Sequence, residues 1–303
     1  MNPKVSICIP AYKQADKLQL LFQTIQQQTF RDFEVIVTDD SPTDEVEKLC
    51  RQQSAFDLKY YRNSVAKGSP DNWNSAISYA QGEWVKLIHH DDYFNSPDAL
   101  QYFVDEAEKS PQIDYFYCGT NILDSNTGEQ FPYVVIPDHI NKITTYPAYL
   151  FHRNLIGAPS TGFFKRSISL KYDKALVWLV DIEYYNRIIE TYKIKHIEQR
   201  LITTVISEEQ LTTGLKNNRD VEIREFLYCY QKHIGKFDAT NRKIMRHRLL
   251  DLFKTFQVND LKSIQLIAPI PTFAKLFLFC CSINKPLTYR IFYKLNHFNH
   301  FHI

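Results

Sequence analysis

Glycine is scarce, eight residues in 303, and the few present are scattered. There is no G-x-G-x-x-G, no G-x-x-x-x-G-K-[ST] and no glycine-rich loop after the first apolar run. This argues against dinucleotide dehydrogenases, P-loop enzymes and sugar-phosphate nucleotidyltransferases. None of the six cysteines forms a C-x-x-C pair, and Cys8 and Cys118 sit inside apolar runs, as buried, reduced, cytosolic thiols do. Long hydrophobic runs are also missing. The stretch 264–283 is interrupted by Pro269, Pro271 and Lys275, which leaves it short of the roughly 20 residues that a membrane span needs. A first strand beginning by Lys4 leaves no room for the apolar segment of a signal peptide, so none is expected.

Charge is nearly balanced overall, at +2, but unevenly placed. Residues 240–303 hold ten Lys/Arg against two Asp/Glu, so +8 on this tail leaves −6 for the rest. A basic tail behind an acidic body fits a polyanionic partner, either a membrane or a nucleic acid.

Strands and helices alternate through the first third. Lys4–Pro10 reads as a strand, and Leu18, Leu21, Phe22 and Ile25 follow at helical spacing. Phe33–Thr38 is a second strand, 44–53 a polar helix and Lys59–Arg62 a third strand. A helix is predicted from Pro70 to Gln81, stopped by Gly82. Trp84–Ile88 is a fourth strand, Ser96-Pro97 opens a helix carrying Leu100, Phe103, Val104 and Ala107, and Ile113–Cys118 closes the series. Asp181–Thr191 reads as a helix, Lys195–Ile206 as one long strand or a pair, and the end as helical. The alternation predicts an α/β fold with a mainly parallel sheet between helices, and ligands beyond the strands' carboxyl ends.

Polar signals stand at three of those ends: Tyr12, Asp39-Asp40 and His89-His90-Asp91-Asp92. Without a glycine cradle, a bound diphosphate needs a divalent cation held by carboxylates. In an extended segment His89 and Asp91 point one way, and His90 and Asp92 the other, so His89 and Asp91 are the pair expected to share a metal. Imidazole beside carboxylate suits Mn²⁺ better than Mg²⁺. The alternative is a solvated loop in which Asp92 caps a turn.

Ser6–Tyr12 (SICIPAY), Val35–Ser41 (VIVTDDS) and Gly82–Asp92 (GEWVKLIHHDD) match in order and spacing the signature segments of the inverting glycosyltransferase family 2. The chain resembles this family strongly over about 3–125, moderately through Gly157–Gly162 and Asp181, and weakly beyond about 215. The resemblance implies a GT-A fold and sugar transfer from a nucleotide diphosphate, most simply a UDP-sugar. Pro10, Ala11 and Tyr12 would wall the base pocket, with Tyr12 stacking on uracil. Asp39 would accept the imide N–H, and Asp40 would orient the loop or reach the ribose. Lys67 would meet a phosphate or the base edge. The family's Asp-x-Asp metal motif begins here with His89; Asp91 keeps the metal-contacting position, Asp92 is its loop neighbour, and His89 would touch the ion, the ribose or a metal-bound water. Asp181 matches the family's general base, with Glu183 in reserve. Gly157, Ser160, Thr161 and Gly162 would form a loop facing the acceptor.

In the tail, Arg242, Lys243, Arg246, Arg248 and Lys254 accompany Met245, Leu249, Leu252 and Phe253 in a basic amphipathic pattern. Phe273, Leu276, Phe277, Phe279, Tyr289, Phe292, Tyr293 and Phe298 follow. Behind a sugar-transfer domain this favours peripheral contact with the inner face of a plasma membrane over nucleic acid, or else a packing layer or oligomer interface. The resemblance implies glycan or lipid-linked acceptors of surface polysaccharide synthesis. The expected divisions are a nucleotide-sugar half (1–120), an acceptor half (121–215) and a helical basic tail (216–303). Two rival functions are a nucleotidyltransferase on a related sheet and a nucleotide-sugar binder without turnover.

Overall fold

The computed structural model describes residues 2–207, 214–215, 217–265 and 269–296. β1 (Val5–Ala11) and β2 (Phe33–Asp39) are buried along their whole length, which is why they read as continuous apolar runs. β1 pairs in parallel with β2 on one side and with β4 (Trp84–Leu87) on the other, and β3 (Leu58–Arg62) continues the parallel set beyond β2. The expected parallel order thus holds across β3-β2-β1-β4. Beyond β4 the sheet is mixed. β8 (Gly162–Lys165) runs antiparallel to both β4 and β6 (Tyr115–Asp124). β9 (Ile194–Ile206), one long strand, pairs in parallel with β6, while β5 (Tyr93–Phe94) and β7 (Gln130–Tyr133) join antiparallel.

Four helices flank the first strands: α1 (Ala15–Gln26), α2 (Glu45–Gln52), α3 (Ser69–Ser78) and α4 (Ala99–Lys109). The periodic residues of α1 and α4 are their buried ones, including Leu18, Leu21, Phe22, Ile25, Leu100 and Phe103. Several boundaries differ from expectation; β6 begins at Tyr115 and runs six residues past the expected end at Cys118, and two helix ends also move. α3 ends at Ser78, and Gly82 lies beyond it for another reason: a Cβ there would stand 2.7 Å from the backbone nitrogen of Ser6. α4 begins after Asp98, and Ser96-Pro97 form the preceding turn, whose carbonyls accept from Gln28 and Thr29.

The chain divides into two compact units, Met1–Ile140 with Leu155–Gln210, and Asn141–Asn154 with Leu211–Ile303. The division passes through α5 (Pro137–Thr145), whereas position 120 lies within β6. α6 (Val180–Thr191) belongs to the first unit. The second unit contains α7 (Arg219–His233), α8 (Ala239–Thr255), α9 (Lys262–Gln265), α10 (Thr272–Leu295) and a 3₁₀ turn at Pro147–Phe151. Asn218 and Asp238 cap α7 and α8 through side-chain oxygens that accept backbone N–H groups. Met245, Leu249, Leu252 and Phe253 of α8 are buried, so its apolar face packs within the protein and is not offered to a membrane. α10 is kinked at Asn284, two residues before Pro286. Phe298 lies outside the described residues.

Candidate active site

The carboxyl ends of β2, β1 and β4 form one rim, because the three strands are parallel neighbours. Strands lie about 4.8 Å apart, so the ends of β2 and β4 are separated by about 10 Å across β1. Asp39 ends β2 and the 89–92 loop follows β4, so both stand on this rim.

Pro10 and Ala11 are buried residues of β1 itself rather than part of a loop. Tyr12 is the first residue beyond the strand and is 41 % exposed. It lines a hollow of about 330 Å³ together with Asp40, Ser41, Arg62 and Asn63. Asp40 ties down the opposite lip: its carboxylate accepts from Asn63 Nδ2 (2.7 Å) and from the backbone N–H groups of Lys67 (3.1 Å) and Gly68 (2.9 Å). Asp39 is fully buried, with Oδ1 accepting from Ser41 N at 2.8 Å and Oδ2 from the Tyr60 hydroxyl at 2.7 Å. A base reaching this carboxylate must share or replace the tyrosine bond. The Lys67 ammonium donates to Ser75 Oγ at 2.8 Å on the exposed face of α3.

The 89–92 segment is a turn, closed by Asp92 N donating to His89 O at 3.1 Å. The alternation of an extended strand therefore fails here. Asp92 swings in beside His89 and Asp91, and one ligand atom from each lies within 4.8 Å of the others. His90 turns away to Gln14 Oε1, 3.2 Å from its Nε2. Burial and the neighbouring Asp91 charge push the Asp92 carboxyl well above the ordinary range. Burial also pushes the His89 imidazole down, so it is neutral near pH 7, and its buried Nε2 has no hydrogen-bond partner among the described residues. A neutral imidazole and two crowded carboxyl groups fit a divalent cation accepting both nitrogen and oxygen.

Ser160, Thr161 and Gly162, expected in a loop facing the acceptor, are all buried. Ser160 Oγ accepts from His89 N at 2.9 Å and also bonds Asp92, which ties both ends of the 89–92 turn to one side chain. Thr161 Oγ1 donates to Ala158 O at 2.9 Å. Gly162 leaves room for Tyr115, whose Cζ would lie 3.0 Å from an added Cβ. Gly157, half-buried with φ +101°, is the open part of this loop, and its carbonyl accepts from the Tyr185 hydroxyl.

Asp181 is the second residue of α6, after Leu179 at the N-cap, so it is not the cap. Burial pushes its carboxyl up to about 6. Its charge reaches Tyr172, which packs edge-on against Trp73 at 5.1 Å, and Trp73 lies 4.6 Å from the His89 ring. Glu183 is fully buried and accepts from Arg187 Nε and Nη2 at 2.7–3.0 Å, so it is a structural partner rather than a reserve base.

The sequence matches glycosyl transferase family 2 over residues 6–171. The chain belongs to this family. It is 26 % identical over 208 residues to an uncharacterised glycosyltransferase of Haemophilus influenzae, covering 69 % of this chain and 67 % of that one. It is 24 % identical over 267 residues to the putative colanic acid biosynthesis glycosyl transferase WcaA of Escherichia coli (86 % and 89 % covered). A 93-residue stretch is 32 % identical to the GalNAc(5)-diNAcBac-PP-undecaprenol β-1,3-glucosyltransferase of Campylobacter jejuni, 30 % of each chain. Among solved structures, Staphylococcus aureus TarS 1–349 with UDP-GlcNAc superposes with TM-score 0.59 at 16 % identity (98 % and 93 % covered). The mannosyltransferase PcManGT of Pyrobaculum calidifontis with GDP-Man and Mn²⁺ superposes with TM-score 0.58 at 16 % identity (98 % and 84 %). The protein is a glycosyltransferase with the GT-A fold.

Three residues that pack beside these groups carry little sequence signal. Trp73 and Tyr172 are in ring contact, and only the fold brings them together beside His89. Lys86 is a buried strand lysine whose ammonium donates to the carbonyls of Ser160 and Gly162. A lysine in the midst of an apolar strand was the available hint.

Proposed function

We propose that this chain transfers a sugar, with inversion, from a UDP-sugar to a glycan or lipid-linked glycan acceptor of bacterial surface polysaccharide synthesis. What carries the proposal is the cluster of His89, Asp91 and Asp92, in a family 2 chain, on the same rim as the Tyr12–Asp40 hollow. The uracil base stacks on Tyr12, and Asp40 holds the lip of the hollow. Asp39 takes the imide N–H by sharing its Tyr60 bond. His89, Asp91 and Asp92 would hold the divalent cation, Mn²⁺ or Mg²⁺. When bound, the cation supplies positive charge for the departing diphosphate.

Asp181 accepts the proton of the acceptor hydroxyl as that oxygen bonds to the anomeric carbon, while the bond to the diphosphate breaks and its electron pair leaves with UDP. A base with a pKa of about 6 is ionised near neutral pH yet still basic enough to help. The solved neighbour with UDP-GlcNAc supports a UDP donor, and the undecaprenol-linked substrate in one relative's name supports a lipid-linked acceptor.

Such an acceptor calls for contact with the cytoplasmic leaflet. Among the described residues no helix is long and apolar enough to cross a membrane. α10 instead exposes Leu276, Phe279 and Ile283 before its kink and Leu287, Ile291 and Leu295 after it, at helical spacing. Lys254, Lys285 and Arg290 line a hollow of about 500 Å³ beside the second stripe. Apolar stripes flanked by cations fit peripheral binding to anionic lipid.

A thermal-shift panel of UDP- and GDP-sugars, with and without Mn²⁺, tests the donor assignment. UDP-sugars should stabilise most, and only strongly with the cation; a preference for GDP-sugars would sink it.

A further inference from the structure

We infer that the second unit holds a divalent transition-metal site of its own, built from His152, His247 and Asp251, with zinc as the cation it fits best. One ligand atom of each residue lies within 4.8 Å of those of the other two. His247 and Asp251 are four residues apart on α8, so they project from the same face. His152 comes from a distant segment, directly after the Pro147–Phe151 turn.

The bonding around the three residues is that of a ligand set. Nδ1 of His247 and Nδ1 of His152 lie 3.2 and 3.8 Å from the same oxygen, Oδ2 of Asp251. The other carboxylate oxygen, Oδ1, accepts from the Tyr293 hydroxyl at 2.7 Å. His152 Nε2 lies 3.1 Å from the carbonyl oxygen of Ile244. A carbonyl only accepts, so this bond puts the proton of the neutral ring on Nε2 and the lone pair on Nδ1. That lone pair then faces Asp251 Oδ2 at 3.8 Å, an oxygen that His247 Nδ1 also reaches and bonds at 3.2 Å, so a cation that displaced the His247 proton would be met by all three groups at once. Outer bonds from imidazole to carbonyl and from tyrosine to carboxylate are the ones that orient metal ligands.

Two imidazoles and one carboxylate form a zinc donor set with a fourth position for water. Bonds of about 2.0–2.1 Å place ligand atoms about 3.3 Å apart, so the group needs only a small closure. All three residues are half-buried, which leaves a path from solvent. The ion would staple the 147–152 segment to α8. It would be separate from the rim cation, since it uses none of that site's residues.

The full-length chain with Asp91→Asn, which removes the rim carboxylate, is stripped with chelator and titrated with ZnCl₂ by calorimetry and metal analysis. About one zinc per chain should bind and raise the Tm, and both effects should be lost on adding His247→Gln. Asp251→Asn provides a second variant, checked for folding by circular dichroism. Co²⁺ in the chain without these ligand changes should give the visible absorption of a four-coordinate ion, a readout that needs no ligand variant. The site is overturned if the Asp91→Asn chain binds no zinc, if zinc stays bound in both ligand variants, or if Co²⁺ shows only its six-coordinate aqueous spectrum.

Discussion

Asp181 sets two opposed demands on one carboxylate. Burial lifts its pKa from 3.8 to about 6, so the folded state holds the proton more tightly than the unfolded chain. The sign follows from linkage: stability from this group is present below pH 4 and is lost as pH rises through 6, so the ionised form strains the fold near neutrality. Asp181→Asn should therefore raise the Tm at pH 7.5, by up to about 2 kcal/mol of stability. It should also reduce transfer by about a hundredfold or more while leaving UDP-sugar binding intact. Calorimetry and donor titration on one preparation check both; a variant that keeps its turnover removes Asp181 as base. For the same reason the kcat/KM–pH profile of the unaltered enzyme should fall on the acid side with an apparent pKa near 6. The acid limb should vanish from any residual activity of the Asp181→Asn variant.

At the scale of elements, the site is held by ties between strand ends. Ser6 Oγ accepts from Gly82 N at 2.8 Å and donates to the buried Glu34 carboxylate at 2.6 Å, joining β1, β2 and the approach to β4. A Cβ at position 82 would collide with the Ser6 backbone, which cannot move without shifting β1. Gly82→Ala is expected to cost about 1–3 kcal/mol and, under the proposed function, to weaken Mn²⁺-dependent UDP binding, because β4 leads into the 89–92 turn proposed to hold the cation. Urea unfolding and UDP titration measure the two effects; a variant as stable as the parent would show that the contact relaxes freely. On α6, the buried Glu183 pairs with half-buried Arg187 one turn later, and Arg187 also donates to Lys171 O at 2.7 Å, tying the helix to the preceding segment.

For the whole molecule, the telling surface is α10. Its two exposed stripes should carry binding to vesicles containing phosphatidylglycerol. Ile283→Asp with Leu287→Asp should weaken that binding at least tenfold in a sedimentation assay while sparing transfer to a soluble acceptor. Added salt should weaken the parent too, because the flanking cations act across a screened distance. Equal binding to neutral and anionic vesicles would reject the basic contribution.

Much of this was legible in the chain. The strands read at Lys4–Pro10 and Phe33–Thr38, the spacing of α1 and α4, and the acidic strand ends follow from local pattern, and parallel strands put their carboxyl ends on one rim. The three signature segments carried the family, because order and spacing are properties of sequence. The tertiary structure decided the rest. A turn, not strand alternation, brought Asp92 to His89 and Asp91; packing enclosed Asp39 and paired Glu183 with Arg187; and the core took the apolar face of α8 and one apolar face of α10, leaving the Leu276–Ile283 and Leu287–Leu295 stripes of α10 in solvent. Each of these outcomes depends on what a side chain meets from distant parts of the chain, and such contacts leave no trace in the pattern of its neighbours.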